Sequence, residues 1–245
     1  MNTSWNKASG WYGKIVGESG HHFHQEVLFP KLLPLLDLKP TSKVLDVGCG
    51  NGVFVSQLPT GATYFGLDSA SSLISQAPAG PNKKYFVADA TKSYPFPDSD
   101  FTHAVFVLSL QNMEQGSAAI LEAGKRIRSG GVMAIILNHP AFRIPRQSSW
   151  QIDEGNKTEY RRIDRYLSPL KIPVTTHPGQ PDSGVTWSFH HPISDYTHWL
   201  KSAGLKVTSV EEWASDKASV GKKAKMENRA RSEFPLFMAI LAQKG

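Results

Sequence analysis

The nine residues VLDVGCGNG, Val44 to Gly52, place three glycines at alternate positions directly behind a short apolar run. Glycine inside a helix or strand costs about 1 kcal/mol relative to alanine. Three in so short a stretch therefore mark a turn whose backbone shape is required. Such a turn lets backbone N–H groups approach a ligand with no Cβ in the way. It also constrains the rest of the chain, because a strand that ends in this turn needs an α/β framework around it.

The sequence beyond the turn has the pattern of that framework. Apolar runs recur at KVLDVG (43–48), ATYFGLD (62–68), KYFVADA (84–90), THAVFVLSL (102–110) and GVMAIILNH (131–139). Helical stretches are predicted between them at 53–58, 69–76 and 117–128, the last stopped by RSGGV. Strands that alternate with helices and read as buried on both faces predict a parallel, doubly wound sheet. Further on, Ser194 is suited to cap a helix over 195–203 that Gly204 ends. A sixth strand comes next at 205–211 and a seventh at PLFMAILAQK (235–244). No regular crossover helix separates these two, which predicts an antiparallel edge hairpin. The expected fold class is α/β: a doubly wound, seven-stranded, mostly parallel, Rossmann-like sheet with an antiparallel last strand and an inserted cap.

The chain divides into four segments on this pattern. Residues 1–40 are rich in aromatics and histidine, with Pro30 and Pro34 interrupting a helical pattern over 24–36, and form an N-terminal helical lid. Residues 41–139 form the core that carries the glycine turn. Residues 140–192 lose the alternation, are punctuated by proline and form an inserted cap. Residues 193–245 return to the core sheet. The chain of 245 residues suits one elaborated α/β domain or two small ones. No apolar run nears the ~20 residues needed to span a bilayer, and MNTSWNKASGWYGK lacks the apolar core of a signal peptide. A cytoplasmic location with no membrane association is expected. Cys49 is the single cysteine, which excludes an internal disulfide and a cysteine-rich zinc site. The net charge of +6 permits an acidic partner. The basic residues are dispersed and partly offset by acids, so they read as a solvated surface and nucleic acid is not the expected partner.

In an open α/β sheet the ligand sits beyond the carboxyl ends of the strands, which makes the 48–52 turn the default site. Asp68 lies twenty residues beyond Gly48, the offset at which an acid meets ribose hydroxyls. To this point a nicotinamide dinucleotide and S-adenosylmethionine fit equally well. Three details separate them. The dinucleotide pattern wants a third glycine at 53, where Val53 stands. Asp46, inside the first strand, would repel a pyrophosphate but can orient an ammonium group directly or through water. Asp89, just past the third strand, can accept a hydrogen bond from an adenine amino group, and a short FPDSDF connection then leads into the fourth strand.

These motifs resemble those of the class I S-adenosylmethionine-dependent methyltransferases of the small-molecule kind, over about residues 40 to 139. VLDVGCGNG resembles their first motif, GLD their ribose acid and ADA their adenine contact. FPDSDFTHAVFVLSLQNM resembles their fourth-strand segment, and EAGKRIRSGGVMAIIL the helix and strand after it. The resemblance implies S-adenosyl-L-methionine as cofactor and a small-molecule methyl acceptor. It implies that Asp46, Gly48, Cys49, Gly50 and Gly52 hold the methionine moiety, and that Asp68 binds the ribose with Ser69 beside it. Asp89 and Ala90 would contact adenine, and Leu108 and Ser109 would lie beside the sulfonium.

On the acceptor side the residues offer candidates only. Methyl transfer is an in-line displacement in which alignment is worth about 7–11 kcal/mol in well-oriented cases, and an oxygen acceptor also needs a base. In the leader, His21 is a candidate base, and Tyr12 and His24 are candidates for lining the site. His139 and His191 are alternative bases. His21 and His22 are adjacent and no partner acids are evident, so no metal is expected. In the cap, Arg143, Arg146, Trp150, Tyr160, Arg161, Arg165 and Tyr166 could bind an aromatic or anionic acceptor. The competing reading is a solvated helix in which Arg161, Arg162 and Arg165 pair with Asp164, Glu159 and Asp153. NHPAF (138–142) is similar to the Asn-Pro-Pro-aromatic turn of adenine-amino methyltransferases, but it comes after the fifth strand and has His139 in place of the first proline. An RNA methyltransferase, an NAD-dependent oxidoreductase and a non-catalytic cofactor-binding protein are the alternatives.

Overall fold

The computed structural model describes residues 5–6, 9–10, 17, 20–175 and 184–245. Seven strands form one sheet: β1 (Lys43–Val47), β2 (Thr63–Asp68), β3 (Lys83–Val87), β4 (Phe101–Val107), β5 (Ile127–Asn138), β10 (Leu205–Trp213) and β11 (Phe237–Lys244). Their order is β10-β11-β5-β4-β1-β2-β3. The β3-β2-β1-β4-β5 block is parallel throughout. β11 runs the other way, antiparallel to both β5 and β10. The last two strands are thus antiparallel partners, but the final strand lies inside the sheet and β10 takes the edge.

Alternation along each strand sends side chains to two separate cores. Leu45 and Val47 point to one face, with Phe65, Leu67 and Phe106. The helices covering that face are α3 (Gly116–Gly124) and α4 (Ile193–Ser202), through Ile120, Ala123, Tyr196 and Leu200. Val44 points to the other face, with Tyr64, Val105, Ile136 and Leu241. That face is covered by α1 (Phe29–Leu36) from the leader, through Phe29, Leu32 and Leu36. The leader is therefore part of the core as well as a cover.

The crossovers that would otherwise cover this second face are short. The predicted helix at 53–58 is a single 3-10 turn over Val53–Gln57, and the one at 69–76 shrinks to α2, Ser71–Ile74. Val53, Phe54 and Val55 are buried in succession, while Ser56 is exposed, so three adjacent side chains pack at once instead of alternating with a polar helical face. In the leader, a π turn over His24–Leu28 runs directly into α1. Pro30 explains its position. Proline donates no hydrogen bond and crowds the carbonyl four residues back, and the Phe29 N–H reaches five residues back to the His24 carbonyl.

Residues 140–192 contain two hairpins: β6 (Ser148–Asp153) with β7 (Thr158–Ile163), and β8 (Leu170–Thr175) with β9 (Val185–His190). The solvated helix considered for 159–165 is a strand, and there Arg162 grips Asp164 through two hydrogen bonds. The basic stretch before the last strand contains helix α5 (Ala224–Glu233), which packs on β7. Among the described residues, no helix is long and apolar enough to cross a membrane.

Ile240 is fully buried at the centre of β11, between β5 and β10. Ile240→Ala is expected to lower stability by about 2–5 kcal/mol in chemical denaturation. A negligible loss would contradict an interior position for the last strand.

Candidate active site

The three glycines form a turn braced against the neighbouring strand. Gly48 N–H and Cys49 N–H both donate to the Leu67 carbonyl, at 2.7 and 3.1 Å. Gly50 N–H donates to Asp68 Oδ2 at 2.9 Å, and Ala70 N–H to Asp68 Oδ1 at 2.8 Å. Gly48 requires its hydrogen side chain twice over. Its φ is +74°, and a Cβ there would lie 2.5 Å from the Ser109 Cβ. The Ser109 hydroxyl in turn donates to the Val47 carbonyl at 2.5 Å, which ties the end of β4 to the end of β1. Leu108, just before it, has a left-handed backbone at φ 53°, an uncommon conformation for a side chain of its size that marks a locally strained bend.

A cavity of about 630 Å³ opens over this floor. Gly48, Gly50, Asp68 and Ser69 line one part of it, Asp89 and Ala90 a second, and Leu108 and Ser109 a third. Asp89 is held by Thr91, whose N–H and hydroxyl both donate to Oδ1, at 2.9 and 2.7 Å. Asp46, Cys49 and Gly52 lie outside the lining. Asp46 is buried beneath the turn, where Oδ2 accepts from the Tyr64 hydroxyl at 2.7 Å and Oδ1 has no partner among the described residues. Burial pushes its carboxyl up to about 7, with Asp68 adding to the rise and the Tyr64 hydrogen bond opposing it. Burial also raises Asp68, against the backbone N–H groups that stabilise its charged form. Cys49 is buried against Gly66, and its thiol is pushed up by that burial.

The leader closes the cavity from above with Trp5, His21 and His24. The rings of the two histidines are 4.4 Å apart. His21 Nδ1 accepts from the Phe23 N–H at 3.1 Å, whereas His24 Nδ1 is buried without a partner among the described residues. Burial, and then the neighbouring His21, lowers His24 to about 4; His21 is lowered mainly by burial. Both rings are therefore neutral at pH 7. His22 diverges from them to meet Asp216 at 2.7 Å.

The other acceptor-side candidates lie elsewhere. His139 anchors the turn after β5: Nδ1 accepts from Ala141 N–H at 3.2 Å and Nε2 donates to Glu212 at 2.7 Å. Both nitrogens are occupied and its ring does not line the cavity. His191 pairs with Asp195 at 3.0 Å and packs on Trp199. Arg143, Arg146, Trp150, Tyr160, Arg161, Arg165 and Tyr166 also lie outside the lining. Tyr166 accepts from the Ile193 N–H, Arg161 donates to the Phe142 carbonyl, and Tyr160, Arg146 and Arg165 are exposed. Tyr12 lies outside the described residues. Trp5, Lys92, Asn112 and Met113 line the cavity without having been singled out in the sequence. The only pointer to the last two is LSLQNM, where the fourth apolar run gives way to polar residues.

Residues 45–135 match the family model of a methyltransferase domain. The chain is 29% identical over 102 residues to a demethylmenaquinone methyltransferase of Corynebacterium kroppenstedtii. That match covers 41% of this chain and less than half, 43%, of the relative. A solved structure from Listeria monocytogenes, assigned as an S-adenosylmethionine-dependent methyltransferase, superposes with a TM-score of 0.68 at 21% identity, over 89% of this chain and 96% of its own. The [4+2]-cyclase SpnF superposes with a TM-score of 0.64 at 15% identity, over 100% of this chain and 97% of its own. These two likenesses are likenesses of fold. The chain carries a methyltransferase domain on the class I S-adenosylmethionine-dependent methyltransferase fold, and S-adenosyl-L-methionine is the cofactor of that class. The residues present fit that molecule: Gly48 and Gly50 present bare backbone to the cavity, Asp68 and Asp89 line it as hydrogen-bond acceptors, and the orphaned Asp46 Oδ1 beneath the turn suits a water between it and a cation.

The raised carboxyl of Asp46 has a consequence for stability. The folded protein keeps a proton that the unfolded chain releases near pH 4, so stability falls as pH rises from there through about 7. Asp46→Asn removes this titration. Relative to the wild type, the variant is expected to gain thermal stability as pH rises from about 4 through about 7, and to keep that gain above it. A pH-independent difference between the two melting curves would show that Asp46 is ionised in the fold throughout.

Proposed function

We propose that this protein is an enzyme that transfers the methyl group of S-adenosylmethionine to a small, flat, aromatic acceptor, with His24 serving as the proton acceptor when that group is a hydroxyl. The observation that carries the reading is the roof of the cavity. Trp5, His21 and His24 provide aromatic surface there, Met113 adds polarisable surface beside Gly48, and among the described residues Lys92 is the one lysine or arginine in the lining. The arginines of the cap that would favour an anionic acceptor are directed elsewhere. The partial relative from Corynebacterium, named for demethylmenaquinone, also acts on a small molecule. With a single lysine in the described lining, the cavity gives no support to an RNA acceptor.

S-adenosylmethionine supplies, when bound, a methyl group already activated on a positive sulfur. The chain's own work is then binding, alignment and proton handling. Asp68 would take the ribose hydroxyls and Asp89 the adenine amino group. Asp46 would balance the ammonium from beneath the turn, through water, because its side chain does not reach the cavity surface. The leader would exclude water from above. His21 Nδ1 is already occupied by a backbone N–H, whereas His24 Nδ1 is buried without a partner among the described residues and would meet an acceptor once its ring turns toward the cavity. Held neutral at pH 7, it can take a proton from an acceptor hydroxyl.

Calorimetry of the purified protein with S-adenosylhomocysteine and with NADH is the first test, and binding of the former alone is expected. Transfer of a labelled methyl group to a panel of phenols and other aromatic hydroxyl compounds is the second. In that assay His24→Gln is expected to lower turnover about 10²–10⁴-fold while leaving S-adenosylhomocysteine affinity unchanged. Binding of NADH alone would overturn the class of reaction. Cofactor binding with an unmethylated, rearranged product would point instead to chemistry of the kind that SpnF's name describes.

A further inference from the structure

The cap contains a second group of functional side chains, well away from the cofactor cavity. Trp150 on β6 and Arg161 on β7 are direct cross-strand partners. The Arg161 guanidinium lies 5.1 Å from the centre of the Trp150 ring, and that of Arg143, from the loop before β6, lies 5.2 Å from it. One indole thus holds two guanidinium groups. Phe234 closes the edge of the ring at 5.6 Å, and α5 brings Arg231 near enough to act on Arg143.

The charges of this group are not balanced. Arg143 is lowered to about 10, first by burial and then by Arg161 and Arg231, and both of those neighbours are positive. Burial lowers Arg161 as well. Glu159 and Glu227 lie on the Arg231 side, where Glu227 raises Glu159 and Arg231 lowers it, while Asp164 is taken by Arg162. Arg161 uses Nε on the Phe142 carbonyl at 2.7 Å and Nη2 on the Ser148 hydroxyl at 2.8 Å. Arg143 is different: its Nε is buried without a partner among the described residues. A half-buried guanidinium carries five donors in a planar fork suited to two oxygens of one anion. Leaving it unpaired beside a like charge is costly unless an anion completes the site. The Trp150 ring attracts both guanidinium groups and restrains where they lie before any ligand arrives.

From this arrangement we propose that Arg143 and Arg161, held against the Trp150 ring with Arg231 nearby, form a binding site for a small oxyanion, a phosphate or carboxylate group. The ligand takes the free Nη donors of Arg143 and Arg161 as charge-assisted hydrogen bonds. None of these residues lines the cofactor cavity, so the site stands apart from the methyl-transfer reading, and neither depends on the other.

The test is thermal unfolding and tryptophan fluorescence of the full chain titrated with inorganic phosphate, against sodium chloride at matched ionic strength. Phosphate is expected to raise the melting temperature and to change the emission at millimolar concentrations, while chloride does neither. Trp150→Phe should remove the fluorescence response and retain the thermal one. Arg143→Gln and Arg161→Gln should each weaken the phosphate response about tenfold or more, with S-adenosylhomocysteine binding retained as evidence of an intact fold. If either variant fails to fold, Arg143→Lys and Arg161→Lys decide the matter, since they keep the charge and lose the fork. Equal effects of phosphate and chloride, variants that respond as the wild type does, or a response to RNA but not to phosphate would each overturn the proposal.

Discussion

Two small sets of hydrogen bonds hold the ends of three strands level. Gly48 and Cys49 both donate to the Leu67 carbonyl, and the Ser109 hydroxyl donates to that of Val47. β1 is thereby locked to β2 on one side and to β4 on the other, at the edge where all three run out. Every group on the cavity floor is placed relative to this lock: Asp68 by the last residue of β2, Gly48 and Gly50 by the turn after β1, Leu108 by the bend after β4. A side chain at 48 would push the Ser109 strand end away and open the floor, so the glycine is required by a strand-to-strand approach as much as by a ligand. The left-handed Leu108 belongs to the same constraint, because the chain must bend sharply there for Ser109 to reach back to Val47.

The leader links this floor to the rest of the fold. With the 53–57 and 71–74 crossovers so short, α1 must bury the second face of the sheet, and Phe29, Leu32 and Leu36 do so. The segment just before α1 is then obliged to pass over the strand ends, and the π turn imposed by Pro30 sets His24 into the cavity beside His21. Core packing and site closure are therefore one structural event. Opening the roof widely would require the leader to leave apolar surface behind it.

The strands were legible because each is an unbroken apolar run, and such runs have few other ways to be buried. Their placement within the sheet was less so. Residues 235–244 announce a strand, but their slot between β5 and β10 depends on pairing that no local pattern encodes. The short crossovers fall short of the predicted helices because VFVSQL is rich in β-branched and aromatic residues, which favour helix weakly, and because three consecutive side chains of it are buried. On the floor, glycines and acids at fixed offsets from strand ends are readable, since strand geometry fixes where those offsets fall. The roof is not, because no periodicity or motif in the leader sequence points to Trp5 as a lining residue. His139 resembled a catalytic base in sequence, yet a histidine beside a strand end serves equally well as a turn anchor, and only its two occupied nitrogens distinguish these roles.

The arginines of the cap show the same limit from the other side. TEYRRI reads as charge on a helix or on a strand, and only the strand pairs Arg161 with Trp150 and sends Arg162 to Asp164 on the opposite face. A period of two separates neighbouring arginines into one that is neutralised at the surface and one that is held on an indole without a counter-charge. Adjacent residues of identical chemistry thus acquire unlike roles from backbone geometry alone. The cap places Arg143 and Arg161 against Trp150 instead of in the cofactor cavity, and the roof of that cavity is formed by the neutral rings of the leader.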